Sequence, residues 1–197
     1  MDLDGLLSGI ADSGIAFAIT DPRRPDNPLV AVNEAFSHLT GYEAGESIGR
    51  NPRFLQGPMS EEAARAVVRH AVAAHQPAIT EIWNYRRDGS AFRNAMMVAP
   101  VFGDDGELAF YLGSQVDVGL VAAEGRRETA RRLVAQLTPR RREILWGLAS
   151  GHRNRQIAER LGLAVETVKM HRAAMLQSLG VGSVAEAIRL AVEAAIV

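Results

Sequence analysis

A chain of 197 residues, 47% hydrophobic and 23% charged, has an ordinary globular composition and fits two small domains better than one large one. No run of about 18 apolar residues is present, and the first ten residues lack a basic flank and cleavage pattern, so a cytoplasmic protein without a membrane span is expected. The complete absence of Cys excludes disulfides, thiolate metal sites and a Cys nucleophile. The formal charge of −1 hides an asymmetry: residues 1–118 hold 9 Arg against 16 acidic residues (−7), and residues 119–197 hold 12 Arg and one Lys against 7 (+6). The basic part is the candidate partner of nucleic acid.

Leu3, Leu6, Leu7 and Ile10 fall at helical spacing and predict a short N-terminal helix over 1–14. Residues 15–20 and 29–32 read as strands separated by turn-prone Asp-Pro and Asn-Pro pairs, and Asn33 reads as the cap of a following helix. Ser60, followed by Glu61 and Glu62, reads as the cap of a longer helix. Residues 78–86, 91–101 and 108–116 then alternate with Gly-containing turns as antiparallel hairpins. Beyond Val118 the composition shifts to Ala, Arg and Glu, predicting a helical connector over 119–136. Four helices follow, over 139–150, 153–161, 165–179 and 184–196, broken at Gly151, Gly162 and Gly180–Gly182. Ser183 and Glu186 have the spacing of a capping box at the last helix.

Two stretches carry chemistry. The segment Gly49-Arg50-Asn51-Pro52-Arg53-Phe54-Leu55-Gln56-Gly57 combines cations and amides with apolar residues, a composition suited to gripping a flat polar ligand. It is similar to the flavin-binding signature of LOV photoreceptors, a branch of the PAS family, whose usual form reads Gly-x-Asn-Cys-Arg-Phe-Leu-Gln. Pro52 stands where that family has its reactive Cys. The resemblance covers about residues 15–117 and implies FMN, with FAD as the larger alternative. It also implies roles: Arg53 and Arg69 for the phosphate, and Asn51 and Gln56 for the ring or ribityl chain. Asn84 and Asn94 take the pyrimidine edge, Gln115 the ring atom that gains a proton on reduction, and Leu55, Val72, Met96, Val98 and Tyr111 the walls. Pro52 has neither thiol nor backbone donor, so a covalent adduct is excluded. The remaining light chemistry is photoreduction to a radical, with Trp83, Tyr85 or Tyr111 as electron donor and Gln115 rotating its amide in response.

The second stretch runs from Leu137-Thr138-Pro139-Arg140 through Gly151, Asn154, Ile157-Ala158 and Leu161-Gly162 to Thr167-Val168-Lys169-Met170-His171-Arg172. It resembles the DNA-binding domain of LuxR-type regulators. Ile157, Ala158 and Leu161 are expected to bury the supporting helix, and Val168 and Leu176 to anchor the next. Glu166, Thr167, Lys169, Met170, Arg172 and Ala173 are then left for the major groove and phosphates of double-stranded DNA. The family has a Ser cap where Ala164 stands, and a Glu where Arg141 stands. The last helix presents Val184, Ile188, Ala191, Val192 and Ala195 as an apolar stripe that pairs subunits in the family, so a homodimer is expected in the active state.

The sequence therefore predicts an α+β chain: a PAS/LOV five-stranded antiparallel sheet with flanking helices over 15–118, and an all-α four-helix LuxR-type helix-turn-helix domain over 137–197. The function expected is a one-component transcription regulator in which the sensor sheet covers the final helix at rest. The alternatives are a light-independent regulator sensing redox state or a small ligand, and a protein-interaction adaptor. No Gly-rich dinucleotide fingerprint and no acid and base pair argue for an enzyme.

Overall fold

A computed structural model describes residues 3–103, 105–119 and 123–194. Five strands, β1 Ala16–Thr20, β2 Leu29–Val32, β3 Ala78–Tyr85, β4 Ala91–Phe102 and β5 Leu108–Asp117, form one antiparallel sheet in the order β2-β1-β5-β4-β3. The turns explain the neighbours: β3 and β4 are a hairpin across Gly89, which sits at φ +85. The chain's first and last strands meet at the centre, with Ala16 opposite Gln115.

One face of the sheet is covered by α2 Glu34–Thr40, α3 Ala44–Ser47, a single 3-10 turn Pro52–Leu55 and α4 Glu62–Ala74. Alternation along each strand separates the two faces: Tyr111, Gly113 and Gln115 look toward these helices, while Leu112 and Ser114 look the other way. On that other face lie α1 Leu3–Ile10 and the C-terminal helices α5 Ala123–Ala135, α6 Pro139–Ala149, α7 Asn154–Leu161, α8 Val165–Leu179 and α9 Val184–Glu193. Phe17, Ile19, Met97 and Leu112 of the sheet share one buried cluster with Ile144, Leu148, Ile188 and Ala191 of those helices. The α+β architecture expected from the sequence is present.

Asn33 caps α2 as expected, accepting from the Phe36 N–H at 3.1 Å, and does more. Its Oδ1 also accepts from the Phe17 N–H at 2.9 Å, and its Nδ2 donates to the carbonyls of Ile10 and Ile15. This buried amide ties α1, β1 and α2 together, with both of its ends engaged.

Several local features differ from the sequence expectation. Ser60 is not a cap: α4 starts one residue later, at Glu62, and the Ser60 hydroxyl instead accepts from the Gly57 N–H and donates to the Trp83 carbonyl. Glu61 at the cap position is drawn away by the Trp83 N–H and Arg93. The box at α9 is half formed, because Ser183 accepts from the Glu186 N–H while Glu186 reaches the Gly182 N–H and the Ser13 hydroxyl. In α8 the fully buried anchors are Val168 and Met175; Leu176 is only partly buried. The connector is helical over Ala123–Ala135, and Val121 lies outside the described residues.

Candidate functional site

A cavity of about 810 Å3 opens between the sheet and the 3-10 turn with α4. Its volume falls in the range of about 300–1,000 Å3 that small-molecule sites occupy. Asn51, Arg53, Leu55, Gln56, Arg69, Val72, Asn84, Asn94, Met96, Val98, Tyr111 and Gln115 all line it, as does Pro52. Residues up to 64 positions apart in sequence, Asn51 and Gln115, thus face one space.

At the mouth, Arg53 pairs with Asp26 at 2.6 Å and Arg69 with Glu62 at 2.5 Å, all well exposed. The hydrogen bond from Arg69 also holds the Glu62 carboxyl below its usual range. Arg24 and Arg65 add two more cations to the lining. Arg65 was not anticipated, although its spacing of four from Arg69 places both on one helix face. Asn51 lines the cavity with its amide engaged: Oδ1 accepts from the Arg53 N–H and Nδ2 donates to the Asp26 carbonyl.

Inside, Asn94 Nδ2 donates to Asn84 Oδ1 at 2.7 Å, and the Val116 N–H donates to Asn94 Oδ1. Tyr111 is buried and donates its hydroxyl to the Val72 carbonyl at 2.6 Å. Burial pushes its pKa up to about 12, so it stays protonated at neutral pH. Among the described residues six buried side-chain polar atoms have no partner, and Thr20 Oγ1, Asn27 Oδ1, Arg65 Nε and Gln115 Oε1 all belong to this lining. Buried polar groups are normally paired, so their convergence marks a surface shaped for a polar ligand.

The other aromatic candidates point elsewhere. Trp83 lies under the Arg93 guanidinium, with 5.8 Å from the cation to the ring centroid, and Tyr85 accepts from the Met59 N–H at 3.1 Å. Neither lines the cavity. The reason is the strand period: Asn84 faces inward, so its neighbours on β3 face outward.

In the C-terminal helices, α8 begins at Val165 after Ala164, which supplies no side-chain cap, and exposes Glu166, Lys169, Met170 and Ala173, with Thr167 and Arg172 partly covered. Lys169 pairs with Glu166 at 2.8 Å, an exposed pair that DNA phosphate can compete for. The stripe of α9 is not free. Ile188, Ala191 and Val192 are buried within the chain and Val184 partly so, while Ala195 lies outside the described residues. Arg189 of the same helix is 5% exposed. It donates to Ser114 Oγ at 2.8 Å and to the Ala95 carbonyl at 3.3 Å, and pairs with Glu193 at 2.7 Å.

The model of the PAS domain family matches residues 14–119, and that of the bacterial regulatory proteins of the luxR family matches residues 135–191. The chain belongs to the PAS domain family. It carries a PAS domain of the LOV kind joined to a LuxR-type helix-turn-helix domain. Blue-light-activated histidine kinase 1 of Erythrobacter litoralis is 41% identical over 152 residues, which are 74% of this chain and 42% of that protein. The chain thus spans about two fifths of that curated relative. An RNA-binding light-oxygen-voltage receptor is similar with a TM-score of 0.54 and 42% identity, over 59% of this chain and 33% of that one. The LOV domain of a blue-light-activated histidine kinase from Erythrobacter litoralis follows with a TM-score of 0.51 and 35% identity, over 53% of this chain and 96% of that one.

The PAS-domain cavity fits a flavin. It offers apolar walls for a ring, unpartnered amide and hydroxyl atoms for a polar edge, and a mouth where Arg24, Arg53, Arg65 and Arg69 outnumber the lining carboxylates of Asp26 and Glu62. A thiol is absent from the whole chain.

Proposed function

We propose that this chain is a light-regulated transcription regulator whose PAS domain holds a flavin, FMN by size and charge, and whose helix-turn-helix domain binds double-stranded DNA as a homodimer. FAD is the larger alternative. Arg53, Arg65 and Arg69 hold the phosphate, Asn84 and Asn94 the ring edge, and Tyr111, Val72 and Met96 the walls. When bound, the flavin supplies absorption of blue light and a one-electron acceptor. With no Cys in the chain, a covalent thiol adduct is excluded, and Tyr111 is the aromatic side chain placed in the cavity wall to give up an electron.

Gln115 is the responsive residue. Its Oε1 has no partner among the described residues, so a change of protonation beside it is met by turning the amide end for end. Ser114, its neighbour on β5, faces the other side of the sheet and accepts from Arg189 of α9. One residue step in a strand therefore joins the cavity wall to the helix that carries the dimer stripe. That juxtaposition is the observation that carries the reading: Arg189 fastens α9 to the sheet opposite the cavity, the apolar stripe of α9 is buried in the same cluster as the outer sheet face, and release of α9 frees a surface for a second copy.

The purified protein tests this. A structured blue absorption band, lost in blue light, together with tighter DNA binding in light than in dark, supports the reading. Colourless protein that does not take up FMN ends it. Pro52 favours one second reading, a regulator that answers to chemical redox rather than light. It predicts that a reductant in the dark matches the effect of light and that light alone has none. The helix-turn-helix domain supports a non-enzymatic regulator.

A further inference from the structure

A second cavity, of about 560 Å3, lies where α1, the outer sheet face and the helix-turn-helix domain meet. It is separate from the PAS-domain cavity: the two share no lining residue. The apolar part of its wall comes from Leu6 and Ile10 of α1, Val101 and Leu112 of the sheet, and Leu176 and Ile188 of α8 and α9, and Ser8, Ser13 and Ser183 add hydroxyls. Gly5 and Gly9, four apart on α1, open toward it, and a Cβ at Gly9 would meet nothing within 4 Å. Glycine is the weakest ordinary helix former, so a helix of eight residues with two of them gives up stability where the cavity gains room.

Among the described residues, the charged and titratable groups of this lining are Glu186, Asp12, His152, Arg153 and Arg172. Glu186 already accepts from the Ser13 hydroxyl and the Gly182 N–H, and Asp12 is exposed at the rim. His152 is held neutral by burial and by Arg160, whose guanidinium donates to Nε2 at 2.9 Å. Arg153 donates to the Phe102 carbonyl at 2.9 Å. Arg172 is the exception: among the described residues no carboxylate pairs with it and no hydrogen bond engages it. A chamber with an apolar wall and an unpaired guanidinium beside it suits an amphiphile with one carboxylate.

We propose that this junction is a second ligand site, for a medium-chain aliphatic monocarboxylate whose carboxylate meets Arg172 and whose chain lies along α1. Such a ligand touches α1 and the sheet on one side and α8 and α9 on the other. It binds only while the two domains are docked, and so holds the closed arrangement. It also engages Arg172, a residue assigned above to DNA. This consequence for DNA rests on the DNA-binding reading; ligand binding itself does not.

Titration of the full-length, FMN-loaded protein in the dark with decanoate, followed by calorimetry, tests the site. One molecule is expected to bind per chain in the micromolar range, with decanol binding at least tenfold more weakly. Gly9→Leu, which fills the chamber from α1, and Arg172→Gln, which removes the charge, are each expected to weaken decanoate at least tenfold while far-ultraviolet circular dichroism is unchanged. Gly182→Leu fills the same space from the other wall and serves if Gly9→Leu misfolds, since a Cβ there also meets nothing within 4 Å. No saturable binding below the micellar range, or binding equal in all variants, overturns the proposal. So does decanoate binding that appears only in flavin-free protein, which places it in the PAS-domain cavity. If decanoate binds here but leaves DNA affinity unchanged, the site stands and the link to DNA through Arg172 falls.

Discussion

Among single residues, Pro52, Tyr111 and Gln115 decide the proposed light response. Pro52 opens a 3-10 turn whose first bonds are supplied by Asn51, so its ring is not required to hold the turn. Pro52→Cys is therefore expected to fold, at a cost of about 1 kcal/mol or less from greater unfolded-state freedom, and to bleach reversibly by a thiol adduct that the natural chain does not form. Tyr111→Phe keeps the wall but removes the donor, and is expected to slow blue-light bleaching of flavin-loaded protein at least tenfold. Trp83→Phe, on the outer face, should leave that rate unchanged; equal slowing by both would deny Tyr111 its role. The same hydroxyl predicts a pH effect. Folding raises the Tyr111 pKa to about 12 because burial opposes the phenolate. The unfolded chain therefore ionises first, near 10, and stability falls as pH rises from about 10 toward 12. Thermal unfolding of Tyr111→Phe should show a smaller decline over that window.

At the scale of elements, most helices and strands are legible from their apolar residues, an unbroken buried run in β1 and a helical period in α9. What was misread is where tertiary partners outbid a local signal. Ser60 has the composition of a cap, but the edge of β3 offers its hydroxyl the Trp83 carbonyl, and the helix begins without it. The cavity residues of the signature were legible through the family pattern, whereas Thr20 and Asn27 were not. Thr20 reads as one more residue of a buried strand, and Asn27 as a turn former, and only the fold turns both toward the same space. Trp83 fails for a related reason: its chemistry is readable from sequence, but its face depends on the register that puts Asn84 inside. Two element-scale outcomes follow. Ala164→Ser supplies the missing cap of α8 and should stabilise by about 1 kcal/mol, visible as a thermal midpoint about 2–4 °C higher. Arg189→Ala leaves Glu193 buried without its partner and should cost about 3–5 kcal/mol. Arg189→Met with Glu193→Met should recover more than half of that loss while still freeing α9, so DNA binding in the dark should rise in the double variant.

At the scale of the whole molecule, the −7 and +6 halves share one buried core, the contact on which the proposed regulation depends. A chain of ion pairs reinforces the contact, from Glu61 through Arg93 and Glu81 to Arg126 on the connector α5. Because these groups are only partly buried, salt weakens them, and higher ionic strength should loosen the docking even as it screens DNA phosphate. The central claim is that light, acting at the PAS-domain cavity, releases α9 and with it DNA binding. Fluorescence anisotropy of the FMN-loaded, full-length protein on a selected operator duplex, at one fixed salt concentration in dark and in blue light, measures that directly. The account predicts at least tenfold tighter binding in light, equivalent to about 1.4 kcal/mol, and little difference for Gln115→Leu. Equal affinity in dark and light, from protein whose blue band bleaches normally, would contradict it.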